Sequence, residues 1–160
     1  MAPGTCYGRS DLAPAADTAE CAARLRAQLP ADLPLFTSPL RRCLALAQSL
    51  HASPVIDERL VEMNFGAWEM RAWDDIPRRE VDAWSAAPLD YVPPGGEPAA
   101  AVRARVRSFL DARRAEACED IVVVTHAGVM KLFAAEGKAL PERDWLMMTF
   151  DYGGIFVVDI

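Results

Sequence analysis

The sequence predicts an α/β protein of three layers, α/β/α, in which a mainly parallel central sheet lies between two sets of helices. Three observations point to it. Short apolar runs alternate with longer stretches of helical period through most of the 160 residues. The clearest run, Ile121 to Thr125, is continuous and largely β-branched, the composition of a parallel strand buried on both faces. Two of the runs lead straight into helix starts, at Ser38-Pro39 and at Ala127-Gly128. The length fits one domain, residues 1–160. With 52% hydrophobic and 25% charged residues, the composition is that of a globular chain.

The elements follow in order. Residues 1–12 read as a loop, with Pro3, Gly4, Gly8, Ser10 and Asp11 as turn formers. Residues 18–29 set Cys21, Ala22, Leu25 and Leu29 on one helical face. Leu33 to Thr37 is a short buried strand; Ser38 then reads as an N-cap and Pro39 as the first helical residue. That helix aligns Leu40, Cys43, Leu44, Ala47 and Leu50, and Pro54 to Ile56 forms another strand. Residues 57–73 mix charge with Phe65, Trp68 and Trp73 and keep no period. Pro77 opens a helix over 77–86, and Pro93-Pro94-Gly95-Gly96 is a break. A long helix follows with Val102, Val106, Phe109 and Leu110 as its core stripe. After the strand at 121–125, residues 128–136 are helical. Leu146 to Phe150 and Ile155 to Ile160 then read as two strands around an Asp151-Tyr152-Gly153-Gly154 turn. Their exposed edge leaves a homodimer open.

Composition also excludes. A net charge of -6 argues against nucleic acid and anionic membrane surfaces as partners. No apolar run approaches the roughly 20 residues of a membrane span. The start, Met-Ala-Pro-Gly-Thr, carries no charged leader, so a cytoplasmic protein with reduced thiols is expected. Cys6, Cys21, Cys43 and Cys118 form no close pairs, and the acidic residues form no ligand cluster; no metal and no cofactor are expected. Of 17 basic residues all but Lys131 and Lys138 are arginine. Arg103, Arg105, Arg107, Arg113 and Arg114 read as a solvated helix face.

In parallel sheets, ligands bind beyond the carboxyl ends of the strands, and chemically useful residues stand at two such ends. Arg41 and Arg42 fall in the first turn of a helix, where free amides and a guanidinium suit an oxyanion, although a surface pair would look the same. His126 follows the 121–125 strand directly and titrates in a range suited to acid–base work. His51 ends a helix, where an imidazole is favoured by the dipole, and reads as structural or exposed. Glu62 has apolar neighbours that would raise its pKa toward general-acid use; pairing with an arginine is the alternative.

Together these segments resemble the histidine phosphatase superfamily, of phosphoglycerate-mutase-like fold. Thr37-Ser38-Pro39-Leu40-Arg41-Arg42-Cys43 resembles its Ser-x-Leu-x-Arg-Ala segment, Leu60 to Glu69 its Leu-x-Glu-x-x-Phe-Gly-x-Trp-Glu segment, and Val123 to Val129 its second-histidine motif. Pro94-Gly95-Gly96-Glu97 also fits, with Pro98 in place of the common serine. Cys6 to Leu12 and the short length resemble the alpha-ribazole phosphatases within that family, whereas a mutase would usually carry longer insertions. The resemblance implies a small phosphate monoester as substrate. It places the phosphate-binding arginine on Arg42, the proton donor on Glu62 and the second histidine on His126, with substrate contacts also from Tyr7, Gly8, Phe65 and Ala127.

The family's Arg-His-Gly nucleophile motif, at the end of its first strand, does not occur in the 160 residues. Neither His51 nor His126 stands where that histidine would. The expectation is a domain truncated at its N-terminus, its first strand missing, and a chain that is itself inactive. A pseudo-phosphatase that binds phosphorylated ligands without turnover is the alternative, and an unrelated α/β domain the third reading.

Overall fold

Alternation of side chains along two short strands sets the layering. In a computed structural model of the chain, residues 4–14, 17–30, 32–116, 120–138 and 142–159 are described. Strand β1 (Leu35–Thr37) lies between β2 (Val55–Ile56) and β3 (Val122–Val124), and both pairings are parallel. The register sets Leu35 beside Val122, Phe36 beside Val123 and Thr37 beside Val124. Successive strand side chains point to opposite faces. Leu35, Val122 and Val124 therefore pack on one side, against Cys21 and Leu25 of α1 (Thr18–Arg26) and Cys43 and Ala47 of α2 (Arg41–Leu50). Phe36 and Val123 go the other way. They join a larger core with Val102, Val106 and Phe109 of α4 (Ala99–Ala115) and Val129 and Leu132 of α5 (Ala127–Lys138). This is the mixed α/β architecture with a small parallel sheet that the sequence predicts. A third cluster, Cys6, Trp68 and Ile76, closes over α3 (Arg78–Ala86), where Glu80 accepts a hydrogen bond from Trp68 Nε1 at 2.8 Å.

Several expectations are corrected. Helix α1 ends at Arg26, not at 29, and the Leu25 carbonyl near its end is closed by turns in which the Gln28 and Leu29 amides both bond to it. Ser38 does not cap α2: Leu40 does, in extended conformation, and the helix starts at Arg41. Ser38 is instead fully buried, its hydroxyl committed elsewhere. The two C-terminal strands are not present among the described residues. Leu146 ends a short helix, α6 (Glu142–Leu146), because a helical turn lets Trp145 and Leu146 reach the core together. The turn at Asp151 does close, Gly154 N donating to Asp151 O at 2.9 Å. Its two arms then meet through the Phe150 and Phe156 rings rather than a backbone ladder. Cys118 and the turn former Pro3 lie outside the described residues.

The arginines of α4 are not one solvated face. Arg105 turns inward and donates to Val61 O (2.8 Å) and Glu97 Oε1 (3.0 Å). Arg113 lies over the Phe36 ring at 4.5 Å with its side chain 11% exposed. Arg103 and Arg107 share Glu136. Long aliphatic stems let a guanidinium leave its helical face and cover apolar surface.

Candidate active site

Parallel neighbours β1 and β3 deliver their following residues to the same place. Ser38 N donates to Val124 O at 3.1 Å, which brings Ser38 and His126 together. Ser38 Oγ accepts from the Leu40 amide and stands 2.8 Å from His126 Nε2, so its own proton is free to go to the ring. His126 is only 7% exposed, and the Cys43 thiol lies 3.6 Å from both ring nitrogens. Burial, with the Arg42 charge beside it, pushes His126 down to about 3, so the ring is neutral at physiological pH. Burial likewise pushes the Cys43 thiol up to about 12, which makes it a packing group and not a thiolate.

Arg42 projects from the first turn of α2 toward the N-terminal loop. It donates to Ser10 O and Gly8 O, each at 2.7 Å, and lies over the Tyr7 ring. The neighbouring backbone amide is not free: Arg41 N donates to Asp11 Oδ1 at 2.7 Å. The group at this turn that could meet an anion is therefore the guanidinium rather than the Arg41 amide.

Glu62 comes from a segment of turns without regular period. Its carboxylate accepts from Met63 N (2.9 Å) and from Gly128 N (3.0 Å), at the start of α5. A side chain at 128 would occupy the space of that carboxylate, so glycine is required by close approach. Burial raises the Glu62 pKa above the usual carboxylate value, against the two amide bonds and the charges of Arg42 and Arg105. A carboxyl so raised suits proton donation.

Two carboxylates that sequence reasoning does not single out hold these pieces in register. Glu69 accepts from Arg9 N (2.9 Å), Phe65 N (3.1 Å) and the Ser10 hydroxyl. Burial pushes its pKa up, but these bonds outweigh that and hold it below the usual value. Glu97 accepts from Asn64 N (2.9 Å), Arg9 Nη2 (2.7 Å) and Arg105 Nη2 (3.0 Å). Ser38 and Cys43 also escape notice as neighbours of His126. The only available signal is their place at a strand end and helix start.

Tyr7, Gly8, Arg42, Glu62, Phe65, His126 and Ala127 all line one cavity of about 720 Å³. It continues past the site along the outer edge of β3 toward residues 150–158. His51 is not part of its lining; it caps α2, and its Nδ1 accepts from Ser53 N at 3.1 Å. Among the described residues there is no group of three or more His, Cys, Asp and Glu side chains placed to hold a metal ion, and no helix long and apolar enough to cross a membrane. What the arrangement offers is a cation and a neutral imidazole for anionic oxygens, with a protonatable carboxyl beside them.

The fold is mixed α/β with a parallel sheet whose strand ends carry the candidate site, and comparison with known proteins gives the family. The profile of the Histidine phosphatase superfamily (branch 1) matches residues 10–160, and the chain belongs to that family. It is 30% identical over 105 residues to the adenosylcobalamin/alpha-ribazole phosphatase of Salmonella typhimurium, covering 63% of this chain and 52% of that protein. The chain thus spans about half the length of the curated relatives it matches. The crystal structure of the alpha-ribazole phosphatase from Shigella flexneri is similar with a TM-score of 0.80 at 27% identity, over 94% of this chain and 79% of that one. A phosphoglycerate mutase from Thermus thermophilus is similar with a TM-score of 0.68 at 34% identity, over 81% of this chain and 72% of that one.

Proposed function

We propose that this site serves phosphate monoester hydrolysis through a phosphohistidine, with alpha-ribazole 5'-phosphate, an intermediate of cobalamin biosynthesis, as the substrate. The observation that carries the reading is the meeting of Arg42, His126 and Glu62 on one cavity. Arg42 and neutral His126 stabilise the equatorial phosphoryl oxygens. As the attacking histidine nitrogen bonds to phosphorus, the P–O bond to the alcohol breaks and Glu62 gives its proton to the departing oxygen. Water then attacks phosphorus, Glu62 takes the water's proton, and the N–P bond breaks to release phosphate. The substrate rests on the names of the alpha-ribazole phosphatases that this chain resembles.

The attacking histidine is not among these residues in this reading. The 160 residues hold two histidines: His126 is the phosphoryl-binding one, and His51 lies outside the cavity. The same observation supports the second reading, a non-catalytic phospho-ligand-binding protein. The 160-residue chain is therefore expected to bind oxyanions and release little phosphate, since loss of a covalent nucleophile costs many powers of ten.

The test is titration with orthovanadate, followed on the imidazole NMR signals of His126. Binding is expected in the wild-type chain and is expected to weaken about ten- to a hundredfold in Arg42→Ala. Phosphate release from alpha-ribazole 5'-phosphate is measured alongside. Robust turnover that His126→Ala leaves undiminished would overturn the mechanism.

A further inference from the structure

Thr37, Ser38 and His126 are buried polar side chains, and the first two have no exposed surface. A hydroxyl sealed from water needs a partner for its proton as well as for its oxygen. Thr37 Oγ1 donates to Ser38 O at 3.1 Å. Ser38 Oγ already accepts from Leu40 N at 3.3 Å, and the acceptor within reach of its own proton is His126 Nε2, at 2.8 Å. If Nε2 carried the ring proton, the Ser38 oxygen would receive two donors. Its own proton would then have no acceptor among the described residues. The hydroxyl therefore donates to Nε2, and the proton of the neutral imidazole sits on Nδ1.

The surroundings of the ring decide what Nδ1–H then does. The Cys43 sulfur lies 3.6 Å from each ring nitrogen, so it favours neither tautomer and offers only a weak acceptor. His126 lines the 720 Å³ cavity together with Arg42, and an anionic oxygen beside that guanidinium is a far better acceptor than a thiol. The donors also form a directed series. Leu40 N, at the N-cap of α2, points at Ser38, and Ser38 points at Nε2. Nδ1–H is the donor at the far end. Each bond polarises the next, so the positive end of the helix reaches the ring through the hydroxyl. A ring that burial keeps neutral thereby still acts as a strong donor.

We propose that Ser38 is a positioning residue: its hydroxyl donates to His126 Nε2, fixes the ring proton on Nδ1, and makes Nδ1–H the donor that meets a phosphoryl oxygen. The role toward a phosphoryl oxygen rests on the phosphatase reading, whereas the tautomer rests on the hydrogen bonds alone. His126 then serves both steps as a neutral donor that neither gains nor loses a proton.

The test is a long-range proton–nitrogen NMR spectrum of the nitrogen-labelled 160-residue chain at about pH 7.5, where a neutral imidazole dominates. His51→Gln removes the other imidazole of the chain and assigns the signals. In the wild-type chain, Nδ1 is expected at the shift of a protonated ring nitrogen and Nε2 at that of a bare one. Ser38→Ala is expected to move both toward the Nε2–H form that an unconstrained imidazole favours. Ser38→Thr, which keeps the hydroxyl, is expected to restore the wild-type pattern. Unmoved amide signals across β1 and β3 show that a variant keeps its fold. Orthovanadate is expected to move the Nδ1–H signal more than Nε2, and to bind Ser38→Ala about three- to tenfold more weakly than wild type. An Nε2–H ring in the wild-type chain overturns the inference and needs no variant; an unchanged tautomer in folded Ser38→Ala also overturns it. Vanadate that binds chiefly at Nε2 overturns it while leaving the phosphatase reading in place. An Nδ1–H ring without vanadate binding supports the role of Ser38 in setting the tautomer and removes the phosphatase reading.

Discussion

The two walls of the site are held in different ways. Arg42, Ser38 and His126 stand where strands hand over to helices, and the parallel register of β1 with β3 fixes their separation. Glu62 stands in a stretch whose regular structure is limited to single turns at Glu58–Leu60, Gly66–Trp68 and Trp73–Asp75. There, carboxylates and an amide side chain take over the work of a ladder. Glu62, Asn64, Glu69 and Glu97 each accept a backbone N–H within residues 63–66. One wall is specified by backbone pairing between neighbours, the other by side chains reaching backbone, in the case of Glu97 across 33 positions. The first should resist point substitution, and the second should not.

The strongest test of that contrast is Glu97→Ala. It strips partners from Asn64 N, Arg9 and Arg105 together. Charge-assisted bonds are worth more than neutral ones, and loss of about 2–3 kcal/mol is expected in urea unfolding. Amide exchange should accelerate over residues 62–69 far more than over β1 and β3. Equal acceleration in both walls would break the comparison.

The next sharpens it through pH. Buried His126 takes up its proton only near 3, against 6.5 for an ordinary imidazole. Between those values the unfolded chain binds more protons than the folded one, so stability falls as pH falls through that window. Glu62 acts oppositely: its raised carboxyl adds stability at low pH that fades as pH climbs past the ordinary 4.5. Between about pH 7 and 4.5, His126→Asn should therefore lose less stability than wild type, by ~2 kcal/mol. Urea midpoints at the two pH values measure it, and an unchanged acid limb would refute the buried neutral imidazole.

What is legible follows the same division. Alternating apolar runs disclose the sheet, its layers and the two strand ends, because periodicity and burial are local in sequence. Ser38 reads as a helix cap because Ser-Pro after a strand is what a cap looks like; its bond to His126 is a contact across 88 positions. Ile155 to Val158 has strand composition, but a strand exists only with a partner, and propensity names none. Arg113 reads as solvated because charge is local, whereas its stacking on Phe36 is not. Glu69 and Glu97 sit in recognisable motifs, yet a carboxylate that binds distant amides leaves no periodic trace.

The smallest expected effect probes the seam between the walls. Helix α2 begins at Arg41 without a side-chain cap from its own N-cap residue, Leu40. Its first amide is satisfied from the loop instead, by Asp11 Oδ1 at 2.7 Å, and a carboxylate there also meets the positive end of the helix dipole. Asp11 thus does for the helix what an N-cap does, across 30 positions of chain. Asp11→Ala should cost about 1 kcal/mol, the usual loss of a cap, and Asp11→Asn should recover most of the hydrogen bond without the charge. Because the loop that carries Asp11 also supplies the carbonyls of Gly8 and Ser10 to Arg42, the alanine variant should loosen vanadate binding while leaving His126 paired with Ser38. A stability loss with no change in vanadate affinity would mean that Arg42 is held by α2 alone, and that the loop belongs to the other wall.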